Sequence, residues 1–243
     1  MTNRRRADVT LVERGFFESR ARAQEAIAAG LVLADGKPVR KASDPLADGA
    51  AIVAGAPHPY VSRGGVKLAA ALDAFAIDPS GLACLDVGSS TGGFTEVLLH
   101  RGARHVTAVD VGRDQLHARI AEDPRVTSLE GTDARVLTRD AVPAPVDLLV
   151  CDVSFISLKL VLPAAIALLA PKAALAVLVK PQFEAGRERV GKGIVRDPAV
   201  HGQVCDDLAA FVASLGFTIL GIVPSPIAGG DGNREFLLGA RRG

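Results

Sequence analysis

The run Leu85-Asp86-Val87-Gly88-Ser89-Ser90-Thr91-Gly92-Gly93-Phe94 decides the fold. An apolar strand over 82–87 meets glycines that let the backbone pass close to a ligand and enter a helix over 92–100 at once. Outward from this turn the chain alternates strand and helix. Strands are predicted over 105–111, 146–152, 174–180, 217–223 and 236–238, several of them almost continuously apolar. That is the pattern of strands covered by helices on both faces of a parallel sheet. Asp197 and Pro198 open a helix as N-cap and first residue, and Val200, Val204, Leu208, Phe211 and Leu215 give it an apolar stripe before Gly216. The expectation is a doubly wound α/β domain with its ligand beyond the carboxyl ends of the strands.

The residues at those ends carry the chemistry. The glycine spacing is not the dinucleotide G-x-G-x-x-G, and Asp86 puts a carboxylate where a pyrophosphate would sit. Both disfavour a nicotinamide dehydrogenase. A cationic ligand suits that charge, and S-adenosylmethionine carries an ammonium; a tight turn with no ligand is the bland alternative. Asp110 lies about 20 residues past Gly88, where an acid grips the hydroxyls of an adenosine ribose, or it caps the next helix. Asp133 faces an adenine edge or caps a helix. Asp152 and Lys180 each close an apolar strand, and lysine is scarce: the 28 basic residues include only seven. A Lys–Asp pair stapling two strand ends is the structural alternative.

The 243 residues are 49% hydrophobic and 23% charged, which excludes a largely disordered chain, a collagen-like repeat and a coiled-coil rod. The net charge of +1 names no partner, but it is unevenly spread. Residues 1–63 carry ten basic and seven acidic side chains, a net +3 against −2 for the rest. In this front segment Asp8 is expected to cap a helix from Val9 that Gly15 ends. Ser19 caps a second, with Ala23, Ala26 and Ile27 as its apolar stripe and Gly30 as its close. Short strands around 31–33, Val39 and 51–53 follow, with a turn at Asp35-Gly36 and a linker over 55–65. Cys84, Cys151 and Cys205, odd in number and widely spaced, read as reduced thiols of a cytoplasmic protein. The five histidines show no ligand spacing with them, so no metal is expected. The N-terminus has no apolar core of a signal peptide, and prolines and Lys172 interrupt the longest apolar stretch, 160–179.

Four longer motifs resemble the TlyA family: Val61-Ser62-Arg63-Gly64-Gly65-Val66-Lys67-Leu68; Cys151-Asp152-Val153-Ser154-Phe155-Ile156-Ser157-Leu158; Val179-Lys180-Pro181-Gln182-Phe183-Glu184-Ala185-Gly186-Arg187; and Ser225-Pro226-Ile227 through Gly232-Asn233-Arg234-Glu235-Phe236. The resemblance covers essentially the whole chain. It implies a small α+β RNA-binding domain over 1–60, similar to the fold named after the fourth small-subunit ribosomal protein. Over 61–243 it implies a Rossmann-like, S-adenosylmethionine-dependent methyltransferase domain of the FtsJ/RrmJ class. Proteins of this family carry both hemolysin names and the activity of ribosomal RNA 2′-O-ribose methyltransferases.

The Lys-Asp-Lys-Glu set of that class falls on Lys67, Asp152, Lys180 and Glu235. Cofactor contacts carry over to Gly88, Thr91, Gly92, Phe94, Asp110 and Asp133, beside Asp86 from the charge argument. Ser89-Ser90 and Asp133 depart from the residues usual in relatives. The resemblance makes Lys180 the general base for a ribose hydroxyl, oriented by Asp152, with Glu235 fixing the ribose or Lys67. Arg4, Arg5, Arg6, Arg20, Arg22, Arg40 and Lys41 are the expected phosphate contacts, and ribosomal RNA or a ribosomal subunit the expected partner. Arg20 and Arg22 alternatively form only a solvated helix face. With only Phe16 and Phe17 nearby, this module offers no stacking surface, which favours folded RNA read by shape. The rivals are a membrane-active cytolysin, which needs an amphipathic or spanning segment that is not evident, and an RNA-binding protein without catalysis.

Overall fold

The computed structural model describes residues 4–143, 145–229 and 232–243. It divides into two compact units, Met1–Pro59 and Tyr60–Gly243.

The first unit runs β1 (Arg4–Arg6), α1 (Ala7–Glu13), α2 (Arg20–Ala28), β2 (Val32–Ala34), β3 (Lys37–Pro38), β4 (Pro45–Ala47) and β5 (Ile52–Ala54). Strands β1 and β4 pair antiparallel, and β3-β2-β5 form a second small sheet. Ser19 caps α2 by accepting from the Arg22 amide, and Ala23, Ala26 and Ile27 pack on Ala7, Leu11, Val32 and Leu46. Asp35 and Gly36 both have positive φ, the turn that suits a two-residue hairpin between β2 and β3.

Asp8 departs from expectation. It is not a cap but lies inside the first turn of α1, fully buried. Its carboxylate accepts from Arg6 at 2.9 and 3.1 Å, from Arg20 at 2.8 and 3.1 Å and from Gln24 at 2.7 Å. A buried carboxylate needs such partners, and burial opposes its charge. The Arg6 hydrogen bonds, with those of Arg20 and Gln24, outweigh burial and hold Asp8 well below the usual carboxylate range. Asp8→Asn is therefore expected to destabilise this unit at neutral pH by about 1–3 kcal/mol. Because the folded pKa is lowered, the stabilisation is present above pH ~4 and lost as acid protonates Asp8. Acid unfolding followed by circular dichroism should show wild type and variant diverging at neutral pH and converging at low pH.

The second unit contains α3 (Gly64–Ala74), β6 (Ala83–Val87), α4 (Gly93–His100), β7 (His105–Asp110), α5 (Ala118–Ala121), β8 (Val126–Glu130), β9 (Val146–Cys151), α6 (Leu158–Ile166), β10 (Leu169–Val179), α7 (Pro181–Glu184), α8 (Pro198–Ser214), β11 (Thr218–Pro224) and β12 (Phe236–Arg242). Its seven-stranded sheet has the order β11-β12-β10-β9-β6-β7-β8. All neighbours are parallel except β12, which runs antiparallel between β10 and β11. Two apolar clusters cover the faces, one around Leu149, Leu162, Leu175 and Leu208, the other around Leu68, Leu72, Leu98 and Leu148.

The fold class is as expected, with local corrections. Gly64 and Gly65 are not linker but open α3, where Gly65 lies so close to the Tyr60 ring that a Cβ would sit 2.4 Å from it. Strand β10 begins five residues early, with a register irregularity between Leu169 and Ala174. Strand β12 runs seven residues because both its edges are paired. The edge strand β8 has no apolar run to mark it in the sequence, since its middle residues Thr127 and Ser128 are exposed and polar.

Candidate active site

The sheet order reverses between β6 and β9, and there the glycine turn crosses the end of β9. Gly88 has φ +83°, and a Cβ on it would lie 2.4 Å from the Asp152 carbonyl oxygen, so only glycine fits. A cleft of about 390 Å³ opens at this switch point, lined by Gly88, Ser90, Asp110, Asp133, Asp152 and Phe155 among others. The Asp110 carboxylate is held by two backbone amides, Ser90 N–H at 2.8 Å and Gly112 N–H at 2.7 Å, one on each oxygen. Each oxygen keeps a second lone pair, the arrangement that receives a vicinal diol. Asp133 takes the capping alternative. It accepts from the Arg135 amide at 2.9 Å and pairs with its guanidinium at 2.6 Å, which holds its carboxyl down at about 2.

Asp86 lies beneath the turn, fully buried. One oxygen accepts from the Thr95 hydroxyl at 2.7 Å, while the other is buried without a partner among the described residues. Burial raises its carboxyl to about 7, the Thr95 hydrogen bond opposes this, and the charges of Asp152 and Asp110 add to it. The orphaned acceptor, the glycine cradle and the Asp110 oxygens together fit a ligand with an ammonium at one end and a ribose at the other.

Three residues matched to cofactor contacts do not line this cleft. Helix α4 begins at Gly93, and the chain has already turned away. Gly92 backs onto Leu116 and Ile120, Phe94 is only 5% exposed among Leu68 and Leu72, and the Thr91 carbonyl accepts from the His117 amide. Ser90, Gln115, Thr132 and Val153 line it instead. Ser90 stands within the glycine-turn motif; Gln115, in a loop without pattern, carries no sequence signal.

Beside the cleft stand two ion pairs. Lys180 Nζ lies 2.5 Å from Asp152 Oδ1 and donates to Ser154 Oγ at 2.8 Å. Lys67 Nζ lies 2.6 Å from Glu235 Oε2, both side chains at most 10% exposed. Topology explains the grouping. Val179 of β10 faces Phe236 of β12, so Lys180 and Glu235 occupy the next positions on neighbouring strands. Asp152 follows Cys151 on β9, the other neighbour of β10. Helix α3, packed on β10 and β12, delivers Lys67. Phe155, unassigned from sequence, is 90% exposed at φ +65°, a strained conformation for a bulky residue. Its ring centroid lies 5.1 Å from that of Phe183, and both line an outer cleft of about 790 Å³.

In the first unit the cationic residues sort by partner. Arg5 pairs with exposed Glu13, and Arg6 and Arg20 share Asp8 while remaining about half exposed. Arg4, Arg40 and Lys41 are exposed and make no side-chain hydrogen bond or close ion pair among the described residues, though the charges of Arg40 and Lys41 act on Asp44. Arg22 is turned inward, 18% exposed, against Glu25 and His58, because the helix face it occupies meets the 55–59 segment.

Comparison with known proteins is decisive at this point. The FtsJ-like methyltransferase family matches residues 60–242, and the S4 domain family matches residues 5–52. The 16S/23S rRNA (cytidine-2′-O)-methyltransferase TlyA of Mycobacterium tuberculosis is 47% identical over 244 residues, covering 99% of this chain and 91% of that protein. The chain belongs to the TlyA family of FtsJ-like methyltransferases. Hemolysin A of Brachyspira hyodysenteriae is 37% identical over 96% of this TlyA-family chain and 98% of its own length. A solved structure under a hemolysin name from Streptococcus thermophilus covers all of this chain and 90% of its own, with 41% identity and a TM-score of 0.79. Among the described residues of this TlyA-family member, no helix is long and apolar enough to cross a membrane.

Proposed function

We propose that this protein methylates a ribose 2′-hydroxyl of ribosomal RNA in the cytoplasm, using S-adenosylmethionine and Lys180 as general base. The observation that carries the reading is the position of Lys180 between two acceptors beside the switch-point cleft. A neutral amine has two N–H bonds and one lone pair. Ser154 accepts one N–H and Asp152 holds the group as an ion pair, so the lone pair of the neutral amine is left for the substrate hydroxyl. When bound, S-adenosylmethionine supplies a methyl group already activated on a sulfonium. Gly88 and Asp110 would hold its ribose end, and the turn over Asp86 would receive its ammonium. Lys180 would take the hydroxyl proton as the oxygen gains the methyl carbon and the sulfonium C–S bond breaks to leave a neutral thioether, and Asp152 would stabilise the charge that Lys180 gains. The Lys67–Glu235 pair fixes the floor of the site and the sugar above it. Much of the rate comes from alignment, since the methyl donor needs no further activation. The first unit supplies affinity through Arg4, Arg6, Arg20, Arg40 and Lys41 on phosphates. Relatives with ribosomal RNA methyltransferase names support the substrate class.

The test is transfer of labelled methyl from S-adenosylmethionine to ribosomal subunits from cells lacking the protein, followed by mapping of 2′-O-methyl positions. Label on a base, or none at all, overturns the reading. The cofactor assignment has its own check. Asp110→Ala should weaken S-adenosylmethionine binding by about 1.5–3 kcal/mol, the range for hydrogen bonds to a charged group. Unchanged affinity by calorimetry would remove Asp110 from the cofactor site even if activity fell.

A further inference from the structure

We infer that Arg196 and Arg234 form a phosphate-binding site for the RNA strand running past the catalytic edge, an inference that rests on the RNA reading above. Asn233, only 4% exposed, stitches two segments together. Its amide donates to the Gly193 carbonyl at 2.9 Å and accepts from the Val195 N–H at 3.3 Å. The residues that follow on each segment, Arg196 and Arg234, are thereby placed side by side, both exposed. Neither has a hydrogen-bond or ion-pair partner among the described residues. That sets them apart from Arg101, Arg119, Arg125 and Arg135, each of which meets a carboxylate.

Both arginines line a cavity of about 380 Å³, together with Val195, Pro198, His201 and Gly232, and no carboxylate is among its described lining. The acids next to them in sequence are engaged elsewhere, Asp197 in capping α8 through the Ala199 amide at 2.9 Å and Glu235 with Lys67 at 2.6 Å. Asp206 lies in the adjoining cavity, which shares Pro198, His201 and Arg234, so a bound anion is favoured at the Arg196 end. His201 is 6% exposed, and its Nε2–H donates to the Val195 carbonyl at 3.0 Å, which fixes the backbone that carries Arg196. Its Nδ1 is buried without a partner among the described residues, a second unsatisfied polar group at this cavity. Two adjacent unpaired guanidinium groups over a carboxylate-free cavity match a phosphodiester, whose oxygens accept bidentate N–H pairs. Arg234 directly precedes Glu235, so a phosphate held here belongs to RNA that passes the methyl-transfer centre. These arginines are positioning residues.

The test uses the full chain with Arg196 and Arg234 both changed to Ala, and a fluorescent single-stranded RNA of mixed sequence. Anisotropy at several salt concentrations gives the slope of log K against log salt, which should become shallower by about 0.7–0.9 per lost phosphate contact. In methyl transfer to ribosomal subunits, KM should rise about tenfold while kcat and S-adenosylmethionine affinity stay the same. Changing both arginines to Lys should restore most of the slope but not all of the affinity. An unchanged slope, or a fall in kcat with KM unaltered, overturns the proposal. Saturable binding of inorganic phosphate by the wild type, with RNA binding insensitive to the Ala pair, would also overturn it, marking a site for a free anion. The binding arm needs no methyl transfer, so a failed methylation reading would leave it readable.

Discussion

Lys180→Arg is expected to lower methyl transfer by about 10²–10⁴-fold, the range typical for loss of a general base. Arginine keeps the positive charge and can still meet Asp152, but a guanidinium does not deprotonate in proteins. Cofactor and RNA affinity should therefore change little, because the charge balance beside the cleft is preserved. Single-turnover rates, with binding measured separately, would distinguish the outcomes. Near wild-type turnover rules out Lys180 as base. A parallel loss of rate and RNA affinity would make it a substrate-binding cation, with water or Asp152 taking the proton.

Glu235→Ala should produce the largest loss of stability. It leaves the Lys67 ammonium buried beside apolar neighbours with its partner removed. Breaking one half of a buried ion pair costs about 3–5 kcal/mol, because the surviving charge keeps its desolvation penalty and loses the attraction that offset it. For a unit of this size that is roughly 10 °C in Tm. The double change Lys67→Met with Glu235→Leu should recover most of the stability, since packed apolar side chains replace buried pairs at little cost. It should not recover activity. If the single variant melts with the wild type, the pair is not the buried contact described. If the double variant is active, neither residue serves the reaction.

The motifs at the strand ends were legible because their constraint is local. A strand, a glycine turn and a helix in direct succession restrict the chain wherever it lies, and the apolar runs of β6, β9 and β10 announce burial on both faces. Asp197 and Pro198 gave the start of α8 for the same reason, since a cap and a first-turn proline act within three residues. The identity of the residues lining the cleft was less legible. Thr91, Gly92 and Phe94 stand in the motif, but their directions depend on where α4 begins and on what Leu116 and Ile120 place against the turn. Asp8 could not be separated from an ordinary cap, because its partners Arg20 and Gln24 belong to another helix.

The sequence alone determined the α/β alternation, the position of the glycine turn and the residue types available for chemistry. These follow from propensity, periodicity and backbone sterics, which act over a few residues. Only the tertiary structure decided which charges meet. Lys67 and Glu235 are 168 positions apart and pair because β12 inserts antiparallel beside β10 and α3 packs over both. Likewise Gly88 is required not by its own turn alone but by the carbonyl of Asp152 at the end of the neighbouring strand. A pairing of this kind depends on which strands become neighbours. Burying the apolar faces of the whole sheet settles that choice, and no short stretch of the chain carries it.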